Sequence, residues 1–197
     1  QKESIESNKP KVHKEAIRHF LSSLKEPLHY LDFETINPSI PIYDGMHPYQ
    51  RIPFQFSLHL ENKHYSFLAD GKKDPRPAFI KELKKVIGKA GTIVTYNASF
   101  ENGVMKELAE AFPKQKRFLE STIARVIDLL VPFRSFYYYH PDQQGSASIK
   151  DVLPAMTGKS YEGMEIIEGG TASLEYVRIT FTKISKQEKE KVRKALE

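Results

Sequence analysis

Two carboxylates stand two positions apart in segment 28–35, whose apolar residues occupy both faces, as in a central β-strand. Because side chains alternate along a strand, Asp32 and Glu34 point to the same side. Two ionised carboxylates side by side repel each other, and burial increases that cost. A hard divalent cation, which prefers oxygen ligands, would relieve the repulsion. The alternative is that both acids lie at an exposed strand end and bind nothing.

A third carboxylate, Glu101, ends the sequence YNASFE at 96–101, where a short apolar strand is predicted to turn into a helix. The dipole of a helix favours an acid in its first turn, which is the ordinary explanation for Glu101. Its combination with Asp32 and Glu34 favours a shared site instead. The chain has no cysteine, so a metal here would bind oxygen or imidazole.

The pattern of apolar residues predicts which elements must position these acids. Residues 1–10 are expected to be loose, and Gly169-Gly170 is expected to form a turn. The predicted elements, in order, are a helix at 11–25, strands at 28–35, 53–60 and 64–69, a helix begun by Asp74 and Pro75, a strand at 92–96, helices at 100–112 and on toward Arg125, a strand or helix at 126–133, a loop at 134–147, and helices at 148–156 and 185–197. This order predicts an α/β fold with a mixed sheet, in which three antiparallel strands are followed by parallel ones and helices flank the sheet.

Four segments together resemble the DEDD-type 3′–5′ exonucleases, which have an RNase H-like fold. DFET at 32–35 resembles motif I, and YNASFENGVMKEL at 96–108 resembles motif II. VIDL at 126–129 resembles the Asp-Leu segment that often follows, and SIKDVL at 148–153 resembles the helix that precedes motif III. The chain is also similar to a bacterial family of unknown function marked by Gly-Ser-x-Ser-Ile-Lys-x-Val-Leu-Pro, here 145–154.

The sequence departs from the exonuclease pattern in two places. Motif II normally has Asp where this chain has Glu101. Motif III needs a further Asp with a Tyr or His ahead of it, but no Asp follows Asp151. Residues 138–142 spell Tyr-x-x-x-Asp, yet Pro141 disfavours a helix there. We therefore expect an N-terminal helix and extension at 1–27 and an RNase H-like domain at 28–197 that is truncated before motif III.

The resemblance implies hydrolysis of phosphodiester bonds by two Mg²⁺ or Mn²⁺ ions. It implies that Asp32 bridges both ions, that Glu34 binds one ion near the terminal 3′ hydroxyl, and that Glu101 serves the second. A fourth carboxylate and a Tyr or His that orients the attacking water are expected beyond Glu197. Four further residues are expected to contact the substrate strand: Thr35, Asn97, Phe100 and Lys150.

The net charge of +5 is compatible with single-stranded DNA or RNA as partner, although a lysine-rich proteome would produce it too. The rival interpretation is a catalytically degenerate RNase H-like module that binds nucleic acid or another protein, and a third is an RNase H-type endonuclease. No apolar run is long enough to span a membrane, and residues 1–11 have no secretory pattern. We expect a cytoplasmic domain attached to further domains.

Overall fold

The computed structural model describes residues 1–160 and 169–197. The helices are α1 (Lys2–Ser7), α2 (Lys14–Ser22), α3 (Arg76–Val86), α4 (Ser99–Ala111), α5 (Lys116–Ile123), α6 (Val131–Arg134), α7 (Ile149–Thr157), α8 (Gly169–Phe181) and α9 (Lys186–Leu196). The strands are β1 (Lys11–Val12), β2 (His29–Ile36), β3 (Ile52–Leu60), β4 (Lys63–Leu68), β5 (Ile93–Thr95), β6 (Val126–Asp128) and β7 (Tyr138–Tyr139). Short 3₁₀ turns lie at Pro113–Gln115 and Pro141–Gln143. No helix in these described ranges is both long and apolar enough to cross a membrane.

Five strands form one mixed sheet in the order β4-β3-β2-β5-β6. Strands β2, β3 and β4 pair antiparallel, whereas β2, β5 and β6 run parallel. The α/β prediction of a mixed sheet flanked by helices is confirmed, and the architecture is compatible with an RNase H-like fold. Because β2, β5 and β6 are parallel, their carboxyl ends meet at one edge of the sheet.

The two faces of the sheet carry two separate cores. On the first face α3, α4 and α5 cover a cluster that includes Leu31, Phe33 and Phe56. On the second face α8 and α9 cover a smaller cluster that includes Phe54 and Tyr176, whose rings stack with centroids 4.0 Å apart. Burial of apolar area on both faces holds the helices to the sheet.

Three local predictions were wrong. Gly169 and Gly170 begin α8 and do not form a turn, and segment 1–10 contains α1. The predicted loop 134–147 contains β7, which pairs with β1 in the register Lys11↔Tyr139. A two-residue strand gains its hydrogen bonds from a partner far along the chain, so no local periodicity indicates it.

The loop before β5 fits closely against the segment before β2. The Thr92 N–H donates to the Lys25 carbonyl at 2.7 Å, and the Lys25 N–H donates to Thr92 Oγ1 at 2.7 Å. Gly91 has a φ of +83°, and a Cβ atom there would fall on the backbone carbonyl oxygen of Pro27. Gly91 is therefore required both by its conformation and by the space around it.

We expect Gly91→Ala to destabilise the protein more than Gly71→Ala. Gly71 has a similar φ of +79°, but its Cβ would meet nothing within 4 Å. Both variants should lose about 1–2 kcal/mol to left-handed strain, and Gly91→Ala about 2 kcal/mol more through the backbone collision. Urea unfolding of the two variants measures the difference. Equal midpoints would contradict the close packing of this loop.

Candidate functional site

Asp32 and Glu34 lie on β2, the central strand of the sheet, and share its second face. The neighbours across the strand pair are Ser57 beside Asp32 and Gln55 beside Glu34. The register shifts directly after Glu34, so that Thr35 lies opposite Pro53. This irregularity is a β-bulge in β3, a feature common beside functional sites because it redirects side chains.

A cavity of about 270 Å³ opens beside the two carboxylates. Its floor is formed by Asp32 and Glu34 together with Gln55 and Ser57 of β3. Its roof comes from the C-terminal helices: Ala172 of α8, and Ala195, Leu196 and Glu197 at the end of α9. The Gln55 side-chain N–H donates to the Leu196 carbonyl, which ties the end of α9 to the floor. The cavity thus has acidic groups on one side and a helical cover on the other.

Glu101 lies in the first turn of α4 and is only 2% exposed. Its burial follows from the sequence, because Glu101 shares the helix face of Val104, Met105 and Leu108 at helical spacing. These three residues belong to the first core, and their packing draws Glu101 inward. The Oε2 atom of Glu101 is buried and has no hydrogen-bond partner among the residues that the structure describes.

The pKa values of the three carboxyl groups are all shifted upward. Burial raises the pKa of Glu101 to about 8, and the negative charges of Asp32, Asp128 and Glu34 add to the rise. Burial raises the pKa of Glu34 to about 7, with a further contribution from Asp32. Asp32 is exposed, yet partial loss of the water shell around its carboxylate also raises its pKa. The charges of Asp32 and Glu34 thus make Glu101 harder to ionise, and a shared site for the three acids stays a prediction.

Asp128 is a fourth acid at this edge that was not among the predicted site residues. It ends β6 beside Thr95, and its Oδ1 accepts hydrogen bonds from the N–H groups of Asn97 and Leu130, each at 2.9 Å. The first of these bonds holds the turn between β5 and α4, where Asn97 has a φ of +71°. The sequence VIDL at 126–129 already resembled an exonuclease segment that contains this Asp, but the interaction of Asp128 with Glu101 depends on the fold. We interpret Asp128 as a positioning residue for the start of α4.

A second contact fixes α4 from the side. The Arg51 Nε donates to Glu107 Oε1 at 2.8 Å, and the Arg51 backbone N–H donates to Glu107 Oε2 at 3.0 Å. The guanidinium group also lies over the Phe100 ring, 5.8 Å from its centroid. It passes over Gly103, where a Cβ atom would collide with it. The loop that ends at Arg51 and the helix that carries Glu101 are therefore joined by charge-assisted bonds.

The donor chemistry of this edge fits a hard divalent cation. The four acids of this edge offer carboxylate oxygens, which such cations prefer. Within the described part of the chain, Glu101 Oε2 has no partner and no cationic side chain contributes to the pKa shifts of Asp32, Glu34 or Glu101. In the ranges 1–160 and 169–197, however, no three His, Asp or Glu side chains are close enough together to hold an ion as they stand. The carboxylates offer suitable ligands without forming a closed cluster.

The four residues expected to contact substrate have differing surroundings. Asn97 is exposed, and its side-chain oxygen accepts from Ser99 Oγ at 2.9 Å. Phe100 packs against the first core, and the Thr35 carbonyl accepts from Ser173 Oγ at 2.8 Å. Lys150 is exposed at the start of α7, and Tyr96 Oη donates to the nearby Ala147 carbonyl at 2.6 Å. Asn97, Phe100 and Thr35 thus make contacts within the protein itself, and the roles of all four residues in substrate binding stay predictions.

Comparisons with known proteins point to one family and one fold. Residues 29–148 match the family described as Domain of unknown function (DUF2779). The chain is 26% identical to the uncharacterized protein UU173 of Ureaplasma parvum serovar 3 over 75% of its length, and spans about a quarter, 24%, of that relative. Its fold is similar to that of the family B DNA polymerase from the archaeon Pyrobaculum calidifontis, with a TM-score of 0.54, 14% identity, and coverage of 86% of this chain and 22% of the polymerase.

We expect Glu101→Gln to stabilise the metal-free protein increasingly as the pH rises. A pKa of about 8, raised from 4.5, means that the burial penalty is absent below pH 4.5 and fully present above pH 8. The gain should be small at pH 5 and on the order of a few kcal/mol at pH 8. Thermal unfolding between pH 5 and pH 8.5 measures it. Glu110→Gln, an exposed acid on the same helix, is the control; an effect of Glu101→Gln that does not change with pH would contradict the buried charge.

We expect Mn²⁺ to bind weakly to the wild-type chain and not measurably to Asp32→Asn. Weak binding follows from the open arrangement of the acids, and the loss follows from removal of a charged oxygen ligand. Isothermal titration calorimetry at pH 8 gives the affinities. Asp44→Asn removes an exposed acid from the loop before β3 and should bind as wild type does. Equal binding by all three proteins would place Mn²⁺ elsewhere.

Proposed function

The chain belongs to the family described as Domain of unknown function (DUF2779), and because that description assigns no chemistry, we propose a function from the site itself. The domain is a metal-dependent nuclease that hydrolyses phosphodiester bonds of DNA or RNA, with Mg²⁺ or Mn²⁺ as cofactor. Within that class we propose a 3′–5′ exonuclease, as the resemblance of 32–35 and 96–108 to its motifs implies.

One observation carries this proposal: Glu101 is a buried carboxylate whose pKa is raised further by the charges of three other acids, Asp32, Glu34 and Asp128. Glu101 is 2% exposed, and within residues 1–160 and 169–197 its Oε2 accepts no hydrogen bond and no cation contributes to its pKa shift. Structural acids are usually placed at the surface or paired with Lys or Arg, because an uncompensated buried charge is costly. Strongly shifted groups of this kind occur at functional sites, where the cost is repaid by a ligand.

Each residue of the candidate site has a proposed role that follows from its own chemical group. A divalent ion, when bound, supplies a Lewis acid and lowers the pKa of water. Asp32 and Glu34 offer adjacent oxygens from the central strand, and Glu101 offers a third from α4. Asp128 and the Arg51–Glu107 pair hold the start and side of α4, so that Glu101 stays at this edge. The cavity of about 270 Å³ admits the end of a strand beside the acids, and α8 and α9 exclude bulk water from one side.

The substrate class rests on the resemblance of 32–35 and 96–108 to exonuclease motifs. The similar solved structure is that of a DNA polymerase, and at 14% identity it supports this chain's fold and no more. The net charge of +5 also favours a polyanion. We propose single-stranded DNA or RNA as the substrate, within a full-length protein that carries further domains.

A second candidate function is a degenerate module that binds nucleic acid without cleaving it. Two observations favour it. Glu101 replaces the Asp usual in the exonuclease motif, and no three acids of the described chain form a closed ligand cluster. A carboxyl group with a pKa of about 8 is largely protonated at neutral pH and would then be a poor ligand. Cleavage distinguishes the two candidates.

We expect the full-length protein that contains this chain to shorten a 5′-labelled single-stranded oligonucleotide from its 3′ end when Mn²⁺ is present. Asp32→Asn should reduce the rate at least about a hundredfold while binding is retained, because the lost oxygen acts on the reacting phosphate and not on the rest of the strand. Product ladders on denaturing gels measure the rate. Asp44→Asn is again the matched control. A protein that binds single strands but never shortens them, with Mg²⁺ or Mn²⁺, would favour the binding module.

A further inference from the structure

Two adjoining cavities of about 440 and 610 Å³ run along α3 and α5 and share the side chain of Lys84. We name them together the basic groove. Their volumes are typical of ligand-binding clefts. Six exposed cationic side chains line the groove: Lys81, Lys84, Lys85, Lys89, Lys114 and Arg117.

The positive charge of the basic groove is largely uncompensated. No acidic side chain lines either cavity in the part of the chain that the structure describes. Lys85 has a carboxylate partner, Glu82, at 2.7 Å. Four of the cations have no carboxylate within 4 Å among residues 1–160 and 169–197: Lys81, Lys89, Lys114 and Arg117. Like charges held on one surface repel, and an anionic ligand would relieve that repulsion.

The walls of the groove are held by contacts that do not consume these charges. Arg125 lines the larger cavity, and its guanidinium group donates to the carbonyl oxygens of Gly91 at 2.8 Å and Gly88 at 3.0 Å. This fixes the loop after α3 at one wall. Lys84 Nζ lies 5.5 Å from the centroid of Phe118 of α5, a cation–π contact that links the two helices. The groove is therefore a built surface between two fixed helices.

The groove lies at the edge of the sheet opposite to the candidate site. Helix α3 ends shortly before β5, and α5 ends shortly before β6, so Lys89 and Arg125 stand at the amino ends of these parallel strands. Asp128 stands at the carboxyl end of β6, and Glu101 follows the carboxyl end of β5. Because the strands are parallel, the acids and the groove occupy opposite edges. A ligand in the groove would not occupy the carboxylate site.

The chemistry of the groove favours a strand of nucleic acid over other polyanions. None of the exposed large apolar residues in the described chain lines the groove, so it lacks the protruding apolar wedge of a membrane-binding surface. Half-buried rings, Phe112 in one cavity and Phe118 in the other, interrupt the row of cations. Cations that follow a backbone, together with aromatic rings, are the elements with which proteins bind single strands.

We propose that the basic groove binds the sugar–phosphate backbone of single-stranded nucleic acid, as a second contact surface separate from the carboxylate site. The choice of nucleic acid rests in part on the proposed function, whereas the charge of the groove does not. The groove would hold a strand on the side of the domain away from the acids, so that a long strand is bound more tightly than its end alone would be.

The test is strand binding by a groove variant and by a variant with the same charge change elsewhere. The groove variant is Lys89→Glu, Lys114→Glu and Arg117→Glu, and the control is Lys9→Glu, Lys72→Glu and Lys73→Glu, which are exposed and lie outside the groove. Fluorescence anisotropy with a labelled thirty-nucleotide oligothymidine in EDTA, over a range of KCl concentrations, gives the affinities. Circular dichroism and thermal unfolding check that both variants fold.

The groove variant should bind at least about tenfold more weakly, and its plot of log affinity against log salt should be less steep by about 2, since each phosphate contact on a single strand contributes about 0.7. The control should change less than about threefold. Equal losses in both variants, or no loss in either, would overturn the proposal. So would wild-type binding to vesicles of phosphatidylserine that is as tight as binding to the strand and equally sensitive to the groove substitutions. EDTA prevents cleavage, so a failed nuclease assay would leave this result standing, and a failed binding test would leave the nuclease proposal standing.

Discussion

The β-bulge in β3 is the constraint on which both cores and the candidate site depend. Along β3, Ile52 and Phe54 at the start of the strand face the second core, whereas Phe56 and Leu58, which follow the bulge, face the first. Without this switch β3 would present its apolar side chains to one face throughout, and α8 and α9 would have little to cover. This change of face lies opposite Glu34 and Thr35, at the point where the polar residues on the second face of β2 and β3 end. The carboxylates of β2 therefore lie next to the apolar contact between β3 and helices α8 and α9, but are not part of that contact.

The burial of Glu101 follows from a second constraint, the amphipathic face of α4. Burial of Val104, Met105 and Leu108, each worth about 1.5–3 kcal/mol, offsets the few kcal/mol that the buried carboxylate costs. The helix therefore docks even though Glu101 is carried inward with it. A Gln at this position would satisfy the packing at lower electrostatic cost. The acid is consistent with a ligand that compensates its charge, as the proposed function requires.

The sequence predicts most of the sheet and part of the site, and the limits of that prediction have physical causes. Strands β2 to β5 and helices α3 and α4 follow from local periodicity, and Asp32, Glu34 and Glu101 follow from spacing and resemblance.

The pairing of β1 with β7 depends on a partner far along the chain, and α8 was missed because its β-branched and aromatic residues at 171–181 weaken the helical signal. In the sequence, apolar and polar residues alternate without a break from 53 to 60, so this pattern gives no sign of the bulge. The contact of Asp128 with Asn97 and the clamp between Arg51 and Glu107 join residues that only the fold makes neighbours.

The two edges of the sheet carry opposite charge, and this separation has a consequence for any bound strand. Acids at the carboxyl edge repel phosphates, whereas the cations of the basic groove at the amino edge attract them. At physiological salt such fields decay over roughly 8 Å, so each edge acts on the part of a strand next to it rather than on the whole molecule. On the two proposals above, a strand held by the groove would be retained without being drawn into the acids, and its end would approach Asp32, Glu34 and Glu101 once a cation neutralises them. Binding and chemistry would then depend on different ions: binding on the concentration of monovalent salt, and chemistry on the presence of a divalent cation.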